Sequence, residues 1–301
     1  MKPKCAVFLS TYNGERYLAQ QIESILDQKD IDIYLMIRDD GSTDNTVNIL
    51  ETFCEDYRVK FFRGENIGYG QSFLRLLYSA DDSYDCYAFS DQDDIWDDDK
   101  MIVGWRTIKE LEDPTLYYCS QRIIDENGKF IREDSSLERI TRCTGYTASK
   151  SNLIRGCTMV WNRKMQAELL KNRPEINRIR EHDIWVSWLA LCVGKVVFDN
   201  ESHMDYRQID SSVSPGASIN QGFSFFHKIK VMKYVWANWS GLKYSYAEEL
   251  EKLLPHCKFA TCHYKDDLLC MFQLLFSRKY NDGVPLKWRL MSDLMIVTRR
   301  L

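Results

Sequence analysis

Ser90-Asp91-Gln92-Asp93-Asp94-Ile95-Trp96 follows directly on the apolar run Cys86-Tyr87-Ala88-Phe89. A short strand of the buried type that empties into a carboxylate-rich turn is the reading on which the fold depends. The same construction occurs twice upstream. Residues 6–11, Ala-Val-Phe-Leu-Ser-Thr, stop at Tyr12-Asn13-Gly14, and Ile33 to Ile37 ends in Arg38-Asp39-Asp40-Gly41-Ser42. Val59 to Phe62 supplies a further strand. Between the strands, Leu18, Ile22, Ile25 and Leu26 recur at helical spacing, a second helix is expected to open near Thr43-Asp44-Asn45, and a third covers Ser72 to Ser79. This alternation predicts a mainly parallel α/β sheet with helices on both faces. Ligands collect at the carboxyl ends of the strands in such sheets, which is where all three polar turns fall. One Asp in a turn is ordinarily a cap. Three polar turns at equivalent strand ends predict a ligand site.

Beyond residue 110 the pattern turns mixed. Leu116–Ile124 reads as a strand entering the hairpin turn Asp125-Glu126-Asn127-Gly128, with further strands at Gly156–Trp161 and Lys195–Phe198. His182–Val193 reads as a buried helix closed by Gly194. The expected organisation is a catalytic-sized body over 1–222, divided near 115, followed by a helical region over 223–301.

The chain has 301 residues, 45% hydrophobic and 28% charged, a globular composition that excludes a disordered or fibrous protein. Its net charge of −4 hides an asymmetry: Phe223–Leu301 holds 13 Lys/Arg against 7 Asp/Glu, so residues 1–222 carry −10. No apolar run approaches the roughly 20 residues of a membrane-spanning helix, and the opening Met-Lys-Pro-Lys-Cys-Ala-Val-Phe-Leu-Ser reads as a first strand, not a signal peptide. Ten scattered cysteines are expected to be reduced thiols of a cytoplasmic protein. His256-Cys257 and Cys262-His263 match no common zinc spacing and are read as packed side chains.

Two apolar stripes run through the basic end: Phe225, Ile229, Met232, Trp236 and Trp239, then Leu286, Leu290, Leu294 and Val297. Basic flanks on such stripes suit peripheral contact with an anionic membrane, at the inner face of the plasma membrane; packing on the body or on a second copy, as a homodimer, is the other use of an apolar face. An acidic body without a reader module argues against nucleic acid.

Asp91-Gln92-Asp93 places hard oxygen donors on a strand end, which suits Mg²⁺ or Mn²⁺ and, through it, a diphosphate. Nine Asp fall between Asp81 and Asp99, and Asp97, Asp98 and Asp99 are read as charges opening the next helix. Taken together, Ser10–Glu15, Arg38–Asp44 and Ser90–Trp96 resemble the motifs of family 2 inverting glycosyltransferases of the GT-A fold. Arg155-Gly156-Cys157-Thr158-Met159, Glu181-His182-Asp183-Ile184-Trp185 and Tyr206-Arg207-Gln208 are similar to the bacterial rhamnosyltransferase-like branch of surface-polysaccharide synthesis. The resemblance covers about residues 4–215.

That resemblance implies a GT-A mixed sheet flanked by helices, with a C-terminal helical appendage. It implies that Ser10, Thr11 and Tyr12 line the base pocket with Glu15 nearby, that Asp39 accepts a pyrimidine N–H, and that Asp40 supports the nucleotide loop. Asn66 and Gly68 would border the donor, Asp91 would face ribose and the metal's waters, and Asp93 would bind the metal directly. Asp183 is the expected catalytic base, taking the acceptor hydroxyl's proton as the oxygen attacks the anomeric carbon. Trp96, His182 and Trp185 are expected on the acceptor side. The donor would be a UDP- or dTDP-sugar and the acceptor a glycan or lipid-linked saccharide.

Two positions depart from the branch. Ile209 stands where His usually follows Tyr-Arg-Gln, which leaves Arg207 as the nearest cation for the diphosphate, and Ser120 stands where Asp is often found. The competing reading outside catalysis is a partner subunit that binds nucleotide sugar without turning it over. A sugar-1-phosphate nucleotidylyltransferase would want a Gly-rich phosphate loop after the first strand, which Ser-Thr-Tyr-Asn-Gly-Glu is not. A processive synthase would bring spanning helices.

Overall fold

The protein is described by a computed structural model for residues 2–134, 154–209 and 242–255. Strands β1 (Lys4–Thr11), β2 (Asp32–Asp39), β3 (Val59–Arg63) and β4 (Cys86–Ser90) alternate with helices α1 (Leu18–Leu26), α2 (Thr46–Phe53) and α3 (Tyr69–Leu77). A two-residue strand β5 (Ile95–Trp96) and helix α4 (Lys100–Ile108) lead to the long strand β6 (Thr115–Ile124) and its hairpin partner β7 (Phe130–Glu133). Then come β8 (Met159–Asn162), α5 (Arg163–Lys171), α6 (His182–Val193), β9 (Lys195–Arg207) and α7 (Leu242–Leu253).

All nine strands form one sheet in the order β3-β2-β1-β4-β8-β6-β9-β5, with β7 on β6. β3, β2, β1 and β4 are parallel, β8 runs antiparallel to both β4 and β6, and β6 and β9 are parallel again. The expected mainly parallel sheet thus holds for the first half, and the second half makes it mixed.

Strand β1 shows why the sheet is buried on both sides. Ala6 and Phe8 face one core together with Tyr87, Phe89, Trp161 and helices α3, α5 and α6. Cys5, Val7 and Leu9 face the other, against Ile33, Leu35, Ile37 and Leu18, Ile22 and Ile25 of α1. Side chains alternate across a strand, so a continuous apolar run feeds two cores at once. Each large side chain so buried contributes about 1.5–3 kcal/mol.

Several boundaries move. Helix α3 starts three residues before Ser72, because the Ser72 N–H already bonds to the Gly68 carbonyl at 3.0 Å. Gly156–Thr158 is a 3-10 turn, and the strand begins only at Met159. β9 continues to Arg207, well past Phe198, with register shifts opposite Ser120 that its polar middle conceals in the sequence. Helix α6 has the expected limits.

Of the region 223–301, the structure describes α7, whose Tyr246, Ala247 and Leu250 are fully buried in the core that holds Trp185. That stretch of the C-terminal helical region packs directly on the main body. The two apolar stripes and the His256–His263 group lie outside the described residues. Cys5, Cys54, Cys86, Cys119 and Cys157 are free thiols. Among the described residues no helix is long and apolar enough to cross a membrane.

Candidate active site

The carboxyl ends of β1, β2 and β4 come together, and side chains latch their loops. Gln92 Oε1 accepts from the Thr11 hydroxyl at 2.6 Å and the Tyr12 N–H at 2.9 Å, which joins the β4 loop to the β1 loop. The Gly14 N–H donates to Thr46 Oγ1, Glu15 accepts from the Asn45 N–H, and Asn13 accepts from the Thr43 N–H, which joins β1 to β2. Ser10 donates to Ser72 at 2.7 Å. Asp39 is fully buried at the end of β2, accepting the Ser42 N–H. Asp40 is ion-paired with Arg38 and accepts the N–H groups of Ile67 and Gly68 at 3.0 and 2.9 Å. A carboxylate with two oxygens suits two adjacent backbone donors, so Asp40 sets the shape of the 64–68 loop.

The end of β4 is acidic and crowded. Burial first, then the Asp183 charge, pushes the Asp91 carboxyl up to about 6. Burial and Asp91 push Asp93 up to about 7. Asp94 is fully buried; burial, then Asp93 and Asp91, raise it well above the usual carboxylate range. Asp91, Asp94 and Cys157 hold carboxylate oxygens and a thiol within 4.8 Å of one another. Asp94 Oδ1 accepts the Arg207 N–H at 3.2 Å, while its Oδ2 is buried with no partner among the described residues. Crowded carboxylates with an orphaned buried oxygen fit a small hard cation, which would remove the repulsion and meet that oxygen.

Lys100 is fully buried beneath this group. Its Nζ donates to the Cys157 carbonyl at 2.5 Å and lies 3.5 Å from the Trp96 ring centroid. On the other side, Asp183 is in the first turn of α6. Burial, then the Glu181 charge, pushes it up to about 7, against the Ile184 and Gly156 N–H groups that lower it. A carboxylate held near neutral pH in a partly dehydrated place can take a proton in that range.

A model of the family described as Glycosyl transferase family 2 matches residues 6–170, more than half of the chain. The chain belongs to that family. Among relatives of this chain, a protein named dTDP-rhamnosyl transferase RfbG from Shigella flexneri is 44% identical over 102 residues, which is 31% of this chain and 34% of RfbG. This chain therefore spans about a third of that relative's length. TuaG of Bacillus subtilis, named a putative teichuronic acid biosynthesis glycosyltransferase, is 26% identical over 81% of this chain and 95% of its own. Of solved structures, S. aureus TarS 1-349 in complex with UDP superimposes with a TM-score of 0.56 at 17% identity, over 94% of this chain and 76% of that one. This supports the GT-A fold.

Of the residues singled out in the sequence, Ser10, Thr11 and Asp39 lie on the ends of β1 and β2, and Tyr12, Glu15, Asp40, Asn66, Gly68, Asp91 and Asp93 lie on the segments that follow strand ends at this one edge. Arg207, expected as the cation nearest the diphosphate, is engaged within the protein. Its guanidinium lies 4.5 Å over the Tyr17 ring and donates to the Asp93 carbonyl, to Gln20 and to the carbonyls of Asp125 and Glu126, so it staples the turn after β4 to α1 and the β6–β7 turn. The three residues expected on the acceptor side are packed inside. Trp185 is fully buried, Trp96 lies under Lys100, and His182 is stacked on Phe73 at 4.0 Å. Burial pushes His182 down to about 3, so it is neutral. Their size and apolar contacts place them in the cores.

Sequence reasoning passed over Gln92, Asp94, Lys100, Cys157 and Glu181. Gln92, Asp94, Cys157 and Glu181 stand inside quoted motifs without an assigned role. Lys100 carried no sign of burial, since a Lys opening a helix is ordinarily solvated.

Proposed function

We propose that this chain is an inverting glycosyltransferase that moves a hexosyl or deoxyhexosyl group from a UDP- or dTDP-sugar to a glycan or lipid-linked saccharide in surface-polysaccharide synthesis. The observation that carries this reading is the placement of Asp183 in the first turn of α6, near enough to Asp91 at the end of β4 for its charge to raise that carboxyl. Such a group takes the acceptor hydroxyl's proton as the oxygen attacks, while the donor is held in line from the β1, β2 and β4 loops. The rhamnosyl-like preference draws on the name of RfbG, and a uridine donor on the UDP in TarS.

Asp91, with Asp93 and Asp94 beside it, would hold Mn²⁺ or Mg²⁺. When bound, the ion neutralises diphosphate charge. The chain's own residues do the rest: Asp40 shapes the 64–68 loop, Gln92 locks the β1 loop, and Arg207 pins the Asp93–Asp94 turn. The excess positive charge of residues 223–301 supports peripheral contact at the cytoplasmic face of the membrane.

The test is a thermal-shift panel of dTDP-rhamnose, UDP-glucose, UDP-galactose and their N-acetyl forms, with and without Mn²⁺. One donor should raise the melting temperature only with metal and not in Asp91→Ala. Asp183→Asn should keep that shift and lose transfer. A well-folded protein that responds to no donor would overturn the reading.

A further inference from the structure

We propose that Tyr246, on the C-terminal helix α7, is a positioning residue for the transfer reaction: its hydroxyl fixes the backbone of Arg180 and Glu181 and so sets where Asp183 stands. The inference rests on the reading of Asp183 as the base. It adds a contribution from a segment beyond residue 170, where the family match ends.

Tyr246 is fully buried, and its oxygen accepts two main-chain bonds, from the Arg180 N–H at 2.9 Å and the Glu181 N–H at 2.6 Å. Those donors sit just ahead of α6, where Glu181 is extended (φ −118°, ψ 107°) and makes no side-chain cap. Both bonds are part-buried, and one phenol oxygen satisfies two adjacent main-chain donors that no helix bond reaches. The first helical bond of α6, from the Trp185 N–H to the Glu181 carbonyl at 3.3 Å, starts from the same residue. Any shift of Glu181 is therefore passed to the turn that carries Asp183.

The same segment is held twice more. Glu249, three residues after Tyr246 and on the same helix face, accepts the Glu175 N–H at 3.2 Å and Arg178 Nη1 at 2.6 Å. From the opposite side, the Tyr69 hydroxyl donates to the Glu181 carboxylate. Gly70 packs so closely that a Cβ there would lie 1.9 Å from the Arg180 carbonyl oxygen. Residues 175–181 are thus clamped between α3 and α7, and Tyr246 closes the clamp nearest the base. A displacement of about 1 Å at a reacting group can cost on the order of 100-fold in rate.

The experiment compares wild type, Tyr246→Phe and Asp183→Asn over the full chain. Hydrogen exchange of the wild type should show the Arg180 and Glu181 amides protected although they precede the helix. Tyr246→Phe keeps the buried ring, so it should melt within a few degrees of wild type and exchange faster at these two amides. With the donor that shifts the wild type, and with nucleoside diphosphate release as the readout, kcat should fall about 10-fold or more while the donor KM stays within about twofold. Unprotected Arg180 and Glu181 amides in the wild type, or a folded Tyr246→Phe with wild-type kcat, overturn the proposal alone. A wild type that binds no donor overturns the glycosyl-transfer reading and this role with it.

Discussion

The Arg207 guanidinium donates Nε–H to the Asp93 carbonyl at 2.8 Å, while the Arg207 main-chain N–H reaches the Asp94 carboxylate at 3.2 Å. The end of β9 therefore holds the acidic turn after β4 by both side chain and backbone. Replacing Arg207 with Met removes the fork and leaves several carbonyls unmet. Urea unfolding should register a loss of about 2–4 kcal/mol, with weaker Mn²⁺ binding. Wild-type stability in this variant would refute the staple.

The base reading fixes a pH dependence. Asp183 must be ionised to accept a proton, and its carboxyl is raised to about 7. Consequently kcat/KM should rise with pH up to about 7 and level off above it. Asp183→Asn should lower the rate by about 100- to 10,000-fold and abolish that limb. A flat profile from pH 5 to 8 in the wild type would exclude Asp183 as the group.

Stability of the metal-free protein should run the other way. Asp91, Asp93, Asp94 and Asp183 are all raised by folding. The folded state then binds more protons than the unfolded one between about pH 4 and 7, and stability declines as pH rises through that window. Mn²⁺ should restore the melting temperature at pH 8 and do little at pH 5. Equal metal-induced shifts at both values would show that these carboxylates do not bind it.

Asp40→Asn keeps one acceptor oxygen for two N–H donors and leaves buried Arg38 without its counter-charge. An uncompensated buried cation costs about 3–5 kcal/mol. Because the 64–68 loop loses its template, the donor KM should rise in any variant that still folds. Unaltered denaturation and KM would contradict this account.

Gly156 lies against His182: a Cβ there would stand 2.4 Å from Nε2. Gly156→Ala should cost about 1–3 kcal/mol by overpacking and disturb the adjacent Asp183. In a His182→Ala background the obstruction is gone, so the same substitution should cost less. Additive effects in this double-mutant cycle would show that the two sites do not touch.

Much of the first half was legible because β1, β2 and β4 are apolar runs ending in polar turns, a signal local in sequence. Helix α6 was legible to its limits because apolar side chains fill it and Gly194 stops it. β9 was not, since its polar Asp199-Asn200-Glu201-Ser202 stretch is strand only by virtue of the partner β6. The family resemblance points to Asp91 and Asp183, but their closeness was not legible, because the 91 residues between them return to the same edge only after β8 crosses the sheet.

The sequence by itself determined the strand ends, the carboxylates placed on them and the family, all carried by short contiguous motifs. Tertiary structure alone decided what each polar group does. Arg207 became a staple, His182 and Trp185 became core, and Tyr246 came to hold the backbone before Asp183. The reason is physical: residue type sets which contacts a side chain can make, whereas burial and the partners brought by distant segments determine which it makes.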